Sequence, residues 1–199
     1  MSRILLFISF ISLFFSAAAQ DVAGLDDFEK SMKPGTVLTY EVKIGKIPYI
    51  LTATIKALGN EISFSWDASE PANKSGIFQM NAEAVANADA LFHVFESGTK
   101  TLSNETSLWL SKKIQSEITA NTSALLKIQG AEDTATLMSN TISETGFLLN
   151  GDFVTVPGWE LEGGSDIKYL VGVIESNKFP LIYRLDIGWT MILTEVKTP

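Results

Sequence analysis

"KFPLIYRLDIGWTMILTEV", residues 178–196, decides how this chain is read. Its odd positions from 181 are Leu181, Tyr183, Leu185, Ile187, Trp189, Met191 and Leu193. The even positions run Ile182, Arg184, Asp186, Gly188, Thr190 and Ile192. Apolar residues on every second position describe a half-buried β-strand. A single strand from Leu181 to Leu193 would run about 40 Å at about 3.3 Å per residue, the full width of a domain of this size. A turn must therefore fall inside it. The turn has to leave the apolar set on odd positions, which a three-residue loop does and a two-residue loop does not. Asp186-Ile187-Gly188 fits, with Gly188 in the left-handed bulge position. Leu185 would then face Trp189, Tyr183 would face Met191, and Leu181 would face Leu193, all on one flank.

The same two-residue period dominates the first third of the chain. After a Pro34-Gly35 turn signal, Leu38, Tyr40 and Val42 alternate with polar residues. A turn at Gly45-Lys46 leads to Tyr49, Leu51, Ala53 and Ile55, and Gly59-Asn60 leads to Ile62, Phe64 and Trp66. Phe78 and Met80 follow the loop at 69–76. Four strands joined by short turns predict an antiparallel meander.

The period changes at Asn81. Val85, Ala88, Leu91, Phe92 and Phe95 recur at helical spacing, which predicts a helix near 82–96 with Asn81 as its N-cap and Gly98 as its stop. A second helix is predicted near 107–119, where Leu110, Ile114 and Ile118 lie four apart. Strands then return at 124–129 and 134–139 around a turn at 130–132. Asn150-Gly151 between apolar runs is a strong hairpin signal, because a type I′ turn needs positive φ at both positions. It pairs Leu149 with Asp152 and Phe147 with Val154. A further strand at 167–176 carries Gly172 as a candidate bulge. Strands, two helices, then strands again predict an α+β fold: a large curved antiparallel β-sheet, a meander or half-barrel, with two helices covering one face.

Residues 1–19 stand apart from this fold. Arg3, a short apolar run and Ala17-x-Ala19 read as a secretory signal peptide cleaved after Ala19, and the run is shorter than the roughly 20 residues a membrane span needs. Residues 20–33 form a polar lead-in, frayed or briefly helical, and 34–199 form a single domain large enough for one core. The formal net charge of −8 and the lack of a Lys/Arg cluster argue against nucleic acid or an anionic membrane as partner. The chain has no cysteine. It therefore carries no disulfide and no thiol for a lipoprotein-type membrane anchor, and a periplasmic or secreted location is expected. Asn73, Asn104 and Asn121 begin Asn-x-Ser/Thr sequons. They are acceptors in a eukaryotic secretory route and chance matches in a bacterial one.

Catalytic groups are few. No cysteine nucleophile and no Gly-x-Ser-x-Gly occur, and His93, the only histidine, falls on the wet face of the expected helix among Glu83, Asp89 and Glu96. One histidine without cysteine excludes the common zinc sets, and no Asp-x-Asp-x-Asp-Gly loop exists for calcium. No catalytic, cofactor or metal residue is therefore assigned. Adjacent acids at Asp26-Asp27 and Glu132-Asp133, and the Gly163-Gly164 loop, read as solvated turns. Trp159, beside a Pro-Gly turn, is the tryptophan expected to be partly exposed, where it could line a ligand site.

Three segments, "PGTVLTYEV" (34–42), "SLWLSKK" (107–113) and "KFPLIYRLDIGW" (178–189), resemble segments of uncharacterised exported proteins of Gram-negative bacteria. The strand–helix–strand plan is similar to the half-barrel of periplasmic lipoprotein carriers, whose sheet curls around helices and an apolar cavity. The resemblance implies the fold plan and transfers no functional residue. The expectation is a non-enzymatic exported envelope protein binding a lipid, another apolar or amphipathic ligand, or a partner segment. The alternative is a structural or protein-interaction module with a filled core, and a less favoured one is a hydrolase using acidic residues. An unfilled apolar space between sheet and helices separates the first two. The sequence leaves the oligomeric state open.

Overall fold

A computed structural model describes residues 24–128, 136–164 and 168–199. The expected meander is present. β1 (Val37–Ile44), β2 (Ile47–Ala57), β3 (Ile62–Ala68) and β4 (Lys74–Met80) pair antiparallel in sequence order. They place Leu38, Tyr40, Val42, Leu51, Ala53, Ile55, Phe64, Trp66, Phe78 and Met80 in the core. The remaining strands are β5 (Ala90–Leu91), β6 (Gly98–Leu102), β7 (Glu105–Thr106), β8 (Ser123–Ile128), β9 (Thr136–Leu149), β10 (Asp152–Gly163), β11 (Tyr169–Ile174), β12 (Ile182–Asp186) and β13 (Thr190–Lys197). All join one mixed, mostly antiparallel sheet in the order β6-β4-β3-β2-β1-β13-β12-β11-β10-β9-β8-β5-β7. β13 also meets β9 in parallel, Val196 opposite Leu149, which bends β9 to β13 into a closed ring of five strands.

The opening stretch forms β12, a turn and β13, so a hairpin is confirmed, but its register differs from the expectation. Asp186 pairs with Thr190 and Leu185 with Met191, and the loop is 187–189. Gly188 still supplies the positive φ, at 91°. Parity survives because the loop still has three residues. The ladder breaks elsewhere. Gly172 pairs with Arg184 while Val173 pairs with Ile182, so Tyr183 is an extra residue. The bulge lies opposite Gly172, on the facing strand, rather than at Gly172 itself. A Cβ placed on Gly172 would lie 2.5 Å and 2.6 Å from Tyr183 ring carbons and 3.0 Å from the Arg184 Cβ. The Tyr183 ring therefore sits on the face of Gly172 and Arg184, opposite the face of Leu185 and Met191. Tyr183 and Met191 do not share a flank; a bulge turns two successive side chains to one side.

Three short helices are described. Residues 24–31 form α1, which packs Phe28 on Phe147 with ring centroids 5.9 Å apart. α2 spans only Ala82–Asn87, so the helix expected near 82–96 is overturned for its second half. Its N-cap is as expected: Asn81 Oδ1 accepts from the Ala84 N–H at 2.9 Å. Beyond Asn87 the backbone turns to sheet-like bonding, with the Phe92 N–H donating to Thr106 O and the Lys127 N–H to Asp89 O. Gly98 opens β6 rather than stopping a helix. α3 spans Lys112–Asn121, later than the expected 107–119. Ser111 caps it, and 107–110 instead bends, with Leu108 at φ 61°, and runs beside 180–182: the Leu110 N–H donates to Pro180 O and the Ile182 N–H to Leu108 O. Two of the segments that carried the resemblance, 107–113 and 178–189, thus lie side by side.

The Asn150-Gly151 hairpin has the expected pairs and φ values of 54° and 95°. Its strands bury opposite faces at their two ends. Val156 and Phe147 are buried near the turn, and Trp159 and Leu161 at the far end. A two-stranded ribbon twists strongly enough over ten residues to present its other face, and β11 pairs with β10 only from Gly158 onward.

Candidate functional site

A cargo molecule in a half-barrel would lie between the meander and the segments covering it. Here that space holds aromatic side chains. The Phe64 ring is 5.5 Å from both Phe78 and Trp109. Phe78 is 5.4 Å from Phe92 and from Phe95, and Trp66 is 5.2 Å from Phe95. These are contact distances for edge-on and tilted rings. The chain of six rings runs without a break from β3 and β4 to the covering segments 92–95 and 107–110. The break in helix α2 makes this possible, because an extended chain can drop Phe92 and Phe95 into the sheet where a continuous helix would carry them along its axis. Lys100 Nζ, 3.4 Å above the Phe92 ring, caps the outer end. The indole N–H groups of Trp66 and Trp109 are buried without an acceptor, so packing alone orients them.

His93 does not lie on a wet helix face. It is half-buried, its ring tilted against Trp189 with centroids 5.9 Å apart. Burial pulls its pKa below the ordinary imidazole value, partly offset by the Leu91 backbone. Folding thus favours the neutral ring. Its stabilising effect is complete above the unfolded pKa and is lost as pH falls through the folded one. Trp159, expected to be exposed, is 5% exposed and belongs to the core. Sequence reasoning missed it because Pro157-Gly158 lies inside β10 rather than at a turn.

Tyr183 anchors a cluster on the outer face of the ring that the sequence did not single out. Its ring lies over Gly158 and Gly172, its hydroxyl is 3.3 Å from Ser143 Oγ, and Arg184 meets Glu160 at 3.6 Å. Burial raises the phenol pKa, so Tyr183 stays neutral. The ring fills the notch left by the two glycines, and Tyr183 is only 4% exposed.

Asp26 and Asp27 are exposed on α1, with Asp27 bonded to Lys30 at 3.3 Å; Glu132, Asp133 and the turn at 130–132 lie outside the described residues. Glu162 and Asp186 line one half-open surface groove with Lys168 and Tyr169. General-acid catalysis needs a carboxyl shielded from water, which a groove of this kind does not offer. The Glu29 carboxyl is held below its ordinary pKa: burial raises it, but hydrogen bonds from Lys178 and Ser176 outweigh that. No group of three His, Asp or Glu side chains among the described residues is placed to hold a metal ion. The sequon residues Asn73, Asn104 and Asn121 are all exposed.

Exposed apolar side chains are spread over several strands, with Ile44, Ile47, Ile50 and Ile192 on β1, β2 and β13, and the two most exposed are on the β9–β10 ribbon. Ile142 is 84% exposed, Phe153 71% and Leu148 40%. Phe153 and Leu148 are direct cross-strand partners, and the Phe153 ring covers Gly146. Comparison with protein-family models, with curated proteins and with solved structures found no match.

Proposed function

We propose that this protein is an exported, non-enzymatic binding module that engages a partner segment through its outer surface and keeps its interior filled with its own side chains. The observation that carries this is the unbroken aromatic chain from Phe64 to Phe95 between sheet and cover. Where these rings touch, between β3–β4 and the covering segments, they occupy the place an acyl chain would take, and such a chain needs an apolar space of several hundred Å3. Of the apolar side chains left on the outside, Ile142 and Phe153 are the most exposed, and Leu148 lies beside Phe153. Export rests on residues 1–19, and cleavage after Ala19 would leave Gln20 first. No helix among the described residues is long and apolar enough to cross a membrane. Native mass spectrometry of protein recovered from the compartment it is exported to tests the proposal. The mass of the chain from Gln20 alone is the expected result. A lipid retained at one per chain overturns it in favour of a carrier.

A further inference from the structure

We infer that the edge of β9 between Thr141 and Phe147 is a slot for strand addition, and that it takes an extended partner segment alternating apolar residues with a Lys or Arg. This rests on the filled-interior proposal above and names the surface involved. The backbone N–H of Asn140 donates to Thr122 O at 2.8 Å, and that of Asn150 to Val196 O at 2.9 Å. Both point away from β10. Alternation along a strand aims the N–H and C=O groups of Ile142, Glu144 and Gly146 the same way. β8 reaches β9 only as far as Ser139, and β13 meets it only at Leu148 and Leu149. Between them no strand among the described residues takes up these three amides and three carbonyls. An open row of this kind is the template for adding a strand.

The flanking side chains define the occupant. Ile142, Glu144, Gly146 and Leu148 share one face, next to Phe153. An antiparallel partner, collinear with β8, would set apolar side chains against Ile142 and Gly146 and a cation against Glu144, and would end where β13 meets Leu148. The charge balance agrees. Residues 136–163 contain Glu144, Asp152, Glu160 and Glu162 and no Lys or Arg. Among the described residues only Glu160 of these has a cationic partner, Arg184. A second copy of this chain would bring Glu144 near its own symmetry mate, which like-charge repulsion disfavours.

Hydrogen exchange on the full mature chain tests the inference. The probe is a short synthetic peptide alternating valine and threonine, with one lysine placed opposite Glu144; the control has glutamate there. The lysine peptide should slow exchange at Ile142, Glu144 and Gly146. The glutamate peptide should bind about tenfold more weakly, and Glu144→Lys should reverse the order. Ile142→Pro removes a donor that faces outward, so it should leave the β9–β10 pairing intact and abolish binding. Equal binding of both peptides, or binding that survives Ile142→Pro, overturns the slot. A dimer in sedimentation that Ile142→Pro dissolves overturns the partner assignment in favour of a second copy. Absence of peptide binding in a lipid-free chain refutes this inference alone, whereas a retained lipid refutes the underlying proposal.

Discussion

Replacing Gly172 with alanine should destabilise the protein only while Tyr183 is present. The added Cβ would lie 2.5 Å and 2.6 Å from ring carbons that prefer about 3.5–4.0 Å. Ring or strand must shift by about 1 Å, and overpacking of that size costs about 1–3 kcal/mol. In a Tyr183→Ala background the ring is gone, and the Arg184 Cβ at 3.0 Å is the close neighbour that remains. Alanine for glycine in an ordinary strand conformation then stabilises by about 0.4–1 kcal/mol through the unfolded chain. The cycle of four proteins should thus show a coupling of about 2 kcal/mol, against the ~0.5 kcal/mol scatter of independent sites. Urea unfolding followed by tryptophan fluorescence measures it. In thermal unfolding it is a difference of about 2–4 °C per kcal/mol for a chain of this length. An equal cost of Gly172→Ala in both backgrounds would refute the bulge and put Tyr183 back on the inner flank.

Three further outcomes follow from named contacts. Glu29 accepts from Ser176 Oγ at 2.7 Å and from Lys178 Nζ at 2.8 Å, and its folded pKa lies below the unfolded value. Its contribution is complete above the unfolded carboxylate pKa and is lost as pH falls through the folded one, so Glu29→Gln should flatten the acid limb of a stability–pH curve. Tyr40 is fully buried and donates to Ile182 O at 3.0 Å, tying β1 to β12. Tyr40→Phe should cost about 1–3 kcal/mol in urea unfolding by orphaning that carbonyl, and burial should keep the phenol protonated up to alkaline unfolding. Gly151→Ala, at φ 95°, should cost about 1–2 kcal/mol by the same measurement, while Gly172→Ala in the Tyr183→Ala background does not.

The strand content was legible because it depends on a local period and on turn chemistry. Leu38 to Met80 alternate cleanly, and Asn150-Gly151 admits few other conformations. The second half of the first expected helix was not legible. Leu91, Phe92 and Phe95 have helical spacing, but the backbone of Leu91 and Phe92 bonds to β8 and to Thr106, partners fixed by tertiary structure. Tyr183 was misplaced for a related reason. A bulge is decided by the facing strand, here by the two glycines that make room for the ring, and alternation within one strand is blind to it. The open slot on β9 depends on where β8 and β13 end, which no window of sequence reveals.

The filled interior is tested most directly by titrating the mature wild-type chain with a solvatochromic apolar probe at micromolar concentration. With the rings of Phe64, Trp66, Phe78, Phe92, Phe95 and Trp109 in mutual contact, the probe's emission should stay at its aqueous value throughout. A saturable blue shift reaching one probe per chain would mean that a cavity exists where those rings are placed.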